Sequence, residues 1–93
     1  MKTVFVNIPC PTKKEAKKLC GELLAKKLCG TAKIFEKTSL MWFEKNKVQE
    51  DEVVVMVLKT ANQNVPKIHE FIFKNQSWGT PCIEVVPLEN DLC

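Results

Sequence analysis

The chain contains no arginine. All fourteen basic residues are lysine, and the formal charge is +3 over 93 residues. Specific nucleic-acid sites rely on the planar guanidinium fork to grip phosphate and guanine. Its absence, with so small a net charge, makes nucleic acid an unexpected partner, and the mixed Lys/Glu pattern reads as solvated surface. Histidine occurs once, at position 69, and neither Cys-x-x-Cys nor a Cys/His pair at zinc-finger spacing is present. Long apolar runs are also missing. The longest, residues 53–58, falls far short of the roughly 20 residues that cross a bilayer, so no membrane association is expected. No charged segment followed by an apolar stretch and a cleavage site opens the chain. Cysteine is present in an odd number, at 10, 20, 29, 82 and 93, which without an export signal points to reduced thiols in a cytoplasm rather than to a disulfide framework. Nucleophile elbows, phosphate loops, dinucleotide fingerprints and metalloprotease motifs are lacking as well. The expectation is a protein that is not an enzyme.

What is there fits one folded domain spanning residues 1–93, since this length leaves no room for two cores. Residues 3–8 form a short β-rich run with Val4, Val6 and Ile8 on one face. Pro9 and Pro11, each without an N–H, are expected to end it. Thr12 with Glu15 three residues on has the capping-box pattern of a helix start. Ala16, Leu19, Cys20, Leu23, Leu24 and Leu28 then recur at helical spacing, and Lys13, Lys14, Lys17, Lys18 and Lys26 fall largely opposite. Gly30 stands where a C-terminal cap is expected.

Residues 31–43 are rich in β-branched and aromatic side chains, the polar tetrad 44–47 reads as a hairpin turn, and residues 48–59 form the returning arm. That arm is apolar on both sides. Val53, Val55 and Val57 face one way, while Val54, Met56 and Leu58 face the other, so both faces must be covered. Residues 62–76 read as a second helix, with Asn64 as N-cap, Pro66 in the first turn and Ile68, Phe71 and Ile72 inward. A loop at 77–81, a last strand at 82–88 and a polar tail at 89–93 complete the chain. The order β-α-β-β-α-β predicts an α+β, ferredoxin-like split βαβ fold, an antiparallel sheet with both helices on one face. Two helices cover only one side, and a second copy of the chain is the economical cover for the other.

The middle of the chain resembles the CutA family of divalent-cation tolerance proteins. Ser39-Leu40-Met41-Trp42-Phe43-Glu44 resembles the family's Ser-Ile-Tyr-Trp-Trp segment. Val48-Gln49-Glu50-Asp51, followed by the strand ending Lys59-Thr60, resembles its acidic turn and Ile-Lys-Thr. The run from Ser77 through Pro81, Cys82 and Ile83 to Pro87-Leu88 is similar to its Pro-Tyr-Glu-x-Pro-Glu-Ile run and closing Pro-Val, and Cys10-Pro11 to its Cys-Pro after the first strand. The resemblance implies a homotrimer in which the long hairpin extends sheets between protomers, a link to tolerance of copper or another divalent metal, and no established catalytic activity. Several positions depart from the pattern. Gln76 replaces the family's His, Gly79 its Glu and Thr31 its Cys, and the Tyr-Leu-x-Trp ending is absent because the chain stops at Cys93. Gln76 cannot replace imidazole as a ligand to a soft or borderline metal.

Candidate site residues follow. Cys10 and Cys82 each flank a strand end and form the best thiol pair for a copper ion, because Cu(I) favours two or three thiolates; Cys20 and Cys29 read as apolar fillers. Trp42, Phe43, Gln76 and Trp78 are candidates for ligand contact or for an interface. His69 lacks a partnering Cys or carboxylate and reads as an ordinary helical residue. The alternative reading is a small-ligand regulator resembling the trimeric PII proteins, against which the short turn at 44–47 counts.

Overall fold

Residues 2–79 and 82–91 are described in this computed structural model. Strand β1 (Thr3–Cys10) alternates strictly, with Val4, Val6, Ile8 and Cys10 buried and the residues between them half-buried. The strand does not stop at Pro9. Pro9 pairs with Val55 and Cys10 with Val54. The other neighbour of β1 reaches only to Asn7, so past that point β1 has an open edge where a missing N–H interrupts no ladder.

Helix α1 (Lys13–Ala25) begins as expected. The Thr12 Oγ1 accepts the Glu15 N–H at 3.2 Å, satisfying one of the free donors of the first turn. The helix ends five residues before Gly30. Lys27 takes the left-handed conformation at φ 59°. Its N–H donates to the Leu24 carbonyl and the Leu28 N–H to the Leu23 carbonyl, both at 3.0 Å, which is the Schellman arrangement with lysine where glycine is customary. Gly30 serves the sheet margin instead, donating to the Lys59 carbonyl at 2.8 Å. Within the helix Leu24 falls at the edge of the buried stripe and is 39% exposed, and Leu28, beyond the helix, packs half-buried against the core.

Strands β2 (Thr31–Glu44) and β3 (Lys47–Ala61) form a long hairpin closed by Lys45 and Asn46, both at positive φ (54° and 61°). Such a two-residue turn matches the twist of the flanking strands. The pairing carries one irregularity. Phe35 faces Val55 and Thr38 faces Val53, so Glu36 and Lys37 together oppose Val54, and Lys37 is at φ 54°. This β-bulge adds one residue to β2 and reverses the facing of everything beyond it. After β3 a 3-10 turn (Asn62–Asn64) leads into α2 (Val65–Asn75). Asn64 does not cap α2 through its side chain, which donates instead to the Thr60 Oγ1 at 3.2 Å. The last strand, β4 (Glu84–Pro87), is shorter than residues 82–88.

The sheet order is β2-β3-β1-β4 with every neighbouring pair antiparallel, the ferredoxin-like arrangement. Its core lies between one sheet face and the helices. Val4, Val6, Ile8, Val54, Met56 and Leu58 meet Ala16, Leu19, Leu23, Ile68 and Ile72, all nearly inaccessible. Among the described residues no helix covers the opposite face. From the register, Phe5, Val55, Val57 and Phe35 lie there, with Val55 and Val57 half-buried and Phe35 52% exposed.

Left-handed backbone at a side-chain-bearing residue costs about 1–2 kcal/mol, and glycine escapes most of it at some entropic cost. Lys27→Gly is therefore expected to raise stability by ~0.5–1 kcal/mol, read as a higher urea midpoint at unchanged slope; a lower midpoint would contradict the cap assignment.

Candidate functional site

The two thiols selected for a metal occupy different surroundings. Cys10 is 1% exposed on the helix side of the sheet, its Sγ donating to the Thr12 carbonyl at 3.6 Å. Burial pushes its thiol pKa up, and the Glu15 carboxylate adds in the same direction. Cys82 is exposed in the segment leading to β4 and borders a cleft on the opposite, open face. Cys10 does not border that cleft. Instead the core gathers Cys10, Cys20 and Cys29. The Cys20 thiol is pushed up to about 11 by burial first and then by Cys29 and Cys10, and burial raises Cys29 also. These are protonated thiols at neutral pH, poor metal ligands in that form. Among the described residues no group of three or more His, Cys, Asp or Glu side chains is arranged to hold a metal ion.

The open-face cleft is about 280 Å³. Pro9, Leu40, Val53, Val55 and Trp78 supply apolar walls, and Asn7, Thr38, Cys82 and Glu84 supply polar groups. Leu40 reaches it only because of the bulge, which places Thr38, Leu40 and Trp42 on the same face as Val53 and Val55. The backbone around Trp78 is held by two clamps. The Glu15 carboxylate accepts from the Ser77 N–H at 2.9 Å and the Ser77 Oγ at 2.7 Å. The Gln76 side-chain amide, at the end of α2, donates to the carbonyls of Trp78 (2.7 Å) and Gly79. Gly79 stands at φ 30°, a conformation side chains rarely adopt. Gln76 thus acts on its own backbone.

Trp42 and Phe43 lie on the outer half of the hairpin, 42% and 70% exposed. They point to opposite faces, since Trp42 opposes Gln49 and Phe43 opposes Val48 on adjacent rungs. The Trp42 Nε1 donates to the Glu44 Oε1 at 3.0 Å. Leu40, Met41 and Val48 are exposed around them, so this end of the ribbon is apolar on both sides with no helix against it. The single His69 is exposed and stacks on Phe73 at 6.4 Å. Sequence reasoning did not find the Glu15–Ser77 link, which joins residues 62 positions apart and leaves no periodic trace.

The model of the CutA1 divalent ion tolerance protein family matches residues 4–92. The chain belongs to the CutA1 family. The divalent-cation tolerance protein CutA of Archaeoglobus fulgidus is 31% identical over 88 residues, covering 95% of this chain and 85% of that protein. The mouse protein CutA is 26% identical over 82 residues, and the chain spans 46% of its length. Among solved structures, CutA1 from Oryza sativa superposes with a TM-score of 0.89 at 21% identity, covering 98% of this chain and 84% of that one. The Archaeoglobus fulgidus protein, described as periplasmic, gives 0.87 at 27% identity, covering 97% and 87%. A CutA1 assignment confirms the resemblance read from the sequence and leaves the PII-like alternative unfavoured.

Two outcomes check this site. A buried thiol with a raised pKa binds its proton in the folded state after the unfolded chain, titrating near 9.0, has released its own. Stability is therefore full below pH 9 and falls as pH rises towards 11. At ~1.4 kcal/mol per unit, the difference between wild type and Cys20→Ala should change by up to about 2–3 kcal/mol between pH 8 and 11, read from urea midpoints; a pH-independent difference would refute it. Glu15→Ala should cost about 1 kcal/mol, as expected for charged but solvent-facing hydrogen bonds, and should speed hydrogen exchange at the Ser77 amide at least tenfold.

Proposed function

We propose that this chain acts in divalent-cation tolerance, copper above all, as a cytoplasmic homotrimer without enzymatic activity. The observation that carries the reading is the uncovered sheet face. Phe35, Leu40, Trp42 and Val86, between 40% and 55% exposed, line up with half-buried Val55 and Val57 across three strands. An apolar surface of that extent marks an interface, and a second copy of a chain already apolar there is its natural cover. Three copies is the state the family resemblance implies. The relatives are described as tolerance proteins and not as enzymes. The thiols of Cys10, Cys20, Cys29 and Cys82 are all free, in keeping with a reducing compartment.

Copper is assigned to the thiols at Cys10 and Cys82, with Cys82 the one an incoming ion can reach directly. Its place in the sequence corresponds to a Glu in the family's pattern, and a thiolate there favours a softer metal than a carboxylate does. Cys10 joins only when the end of β1 opens.

Light scattering at low micromolar concentration should give three chain masses, and Phe35→Glu or Val55→Lys should give folded monomers. A wild-type monomer with native circular dichroism would end the assembly reading. In Cu(I) competition titrations, Cys82→Ser should at least halve the bound metal per chain; unchanged stoichiometry in both Cys82→Ser and Cys10→Ser would remove copper from these thiols.

A further inference from the structure

The positive charge of this chain is gathered on its helical layer. Residues 12–27 and 62–76 hold eight lysines against three glutamates, whereas the rest holds six lysines against eight acids. The helical surplus therefore exceeds the +3 of the whole chain. All eight of these lysines are exposed. Two are paired, Lys13 with Glu36 at 3.2 Å and Lys74 with Glu70 at 3.0 Å. Lys14, Lys17, Lys18, Lys26, Lys27 and Lys67 make no ion pair among the described residues. On α1, Lys14, Lys17 and Lys18 stand away from the buried line of Ala16, Leu19, Cys20 and Leu23. A groove of about 220 Å³ is lined by Lys26 at the end of α1 and by Lys67, Glu70, Phe71, Lys74 and Asn75 of α2. Lys26 lies 5.9 Å over the Phe71 ring, and one carboxylate faces three ammonium groups. Phe73, on the solvent side of α2, is 59% exposed.

We propose that this outer helical face adsorbs to an anionic lipid surface, with a phosphate headgroup held in the Lys26–Lys67–Lys74 groove. The cations are spread over two helices, α1 alone being about 20 Å long for its 13 residues, and so meet a plane better than a point. Each lysine brought near an anionic bilayer strengthens binding roughly fivefold. As a compact charge on a flexible stem, lysine demands no fixed headgroup geometry. Phe73 supplies an apolar side chain to enter the headgroup boundary. No helix of the described residues is long and apolar enough to cross a membrane, but adsorption from one side requires none. The assembly proposed above covers the sheet face opposite the helices and leaves this one outward, so the two readings fail separately.

The test is co-sedimentation of the full chain with vesicles of phosphatidylcholine and phosphatidylserine, against phosphatidylcholine alone. Binding should require the anionic lipid and weaken as salt is raised; equal binding to both vesicles, or to neither, overturns the proposal. Lys67→Gln with Lys74→Gln should weaken binding at least about tenfold. Lys45→Gln with Lys47→Gln removes the same charge from the hairpin turn and should change it less than about twofold. Equal losses in the two pairs would leave net charge as the cause and overturn the surface. Lys14→Gln with Lys18→Gln must weaken binding too, and full binding there overturns a face built from both helices. Inorganic phosphate at matched ionic strength should not release the protein. Release would make the groove a soluble-anion site and overturn the lipid reading, as would a shift with single-stranded RNA in a chain that ignores the vesicles.

Discussion

A single strand with two apolar faces governs this molecule. The half of β3 that begins at Val53 is central in the sheet and alternates between Val54, Met56 and Leu58, sealed beneath the helices, and Val55 and Val57, left half-covered. Burying one such side chain is worth about 1.5–3 kcal/mol, and a domain of this size has a total stability of only some 5–15 kcal/mol. Leaving one whole face in water would forgo a large part of what the sequence can supply. The fold therefore satisfies half of the constraint by itself, and the rest of the architecture is organised around the other half. The helices stay on one side, the C-terminal segment reaches across to bond Asp91 to Lys59 at 2.6 Å, and the hairpin extends past the helices.

The site inherits this division. Everything beneath the helices is dry and closed, including three cysteines whose thiols burial keeps protonated. On the uncovered face Trp78, Cys82 and Glu84 border one cleft. The clamps that hold Trp78 are polar contacts from α1 and α2, so the helices shape the open face indirectly through the loop that follows α2.

Much of this was legible in the residues. The strict alternation of Val4, Val6 and Ile8, the Thr12 cap, the stripe of α1 and the polar turn before residue 48 led to the correct order of elements, because each is a local signal with a known period. The ends of elements were less legible, and for physical reasons. Pro9 continues β1 since β4 is too short to need its N–H there. Gly30 lost the helix cap to Lys27 since the chain had to reach the Lys59 carbonyl. Asn64 turned from capping to Thr60. The first two outcomes depend on strands distant in the sequence, and the third on a side chain four residues back. Of the candidate residues, Trp78 and Cys82 share one cleft, whereas Cys10 is on the far side of the sheet and Gln76 serves the loop backbone. A spacing pattern does not encode which side of a sheet a loop thiol finally meets.

The extra residue at Glu36 and Lys37 has a bearing on how such ribbons diversify. Deleting it would restore regular alternation with Thr38 still opposite Val53, so Leu40 and Trp42 would keep their face, because the register with β3 decides which way each side chain points. The bulge thus absorbs a change of one residue in the length of β2 without altering the surface that the distal hairpin presents. Homologues that differ by a single gap at this position can therefore carry the same aromatic motif on the same side of the sheet.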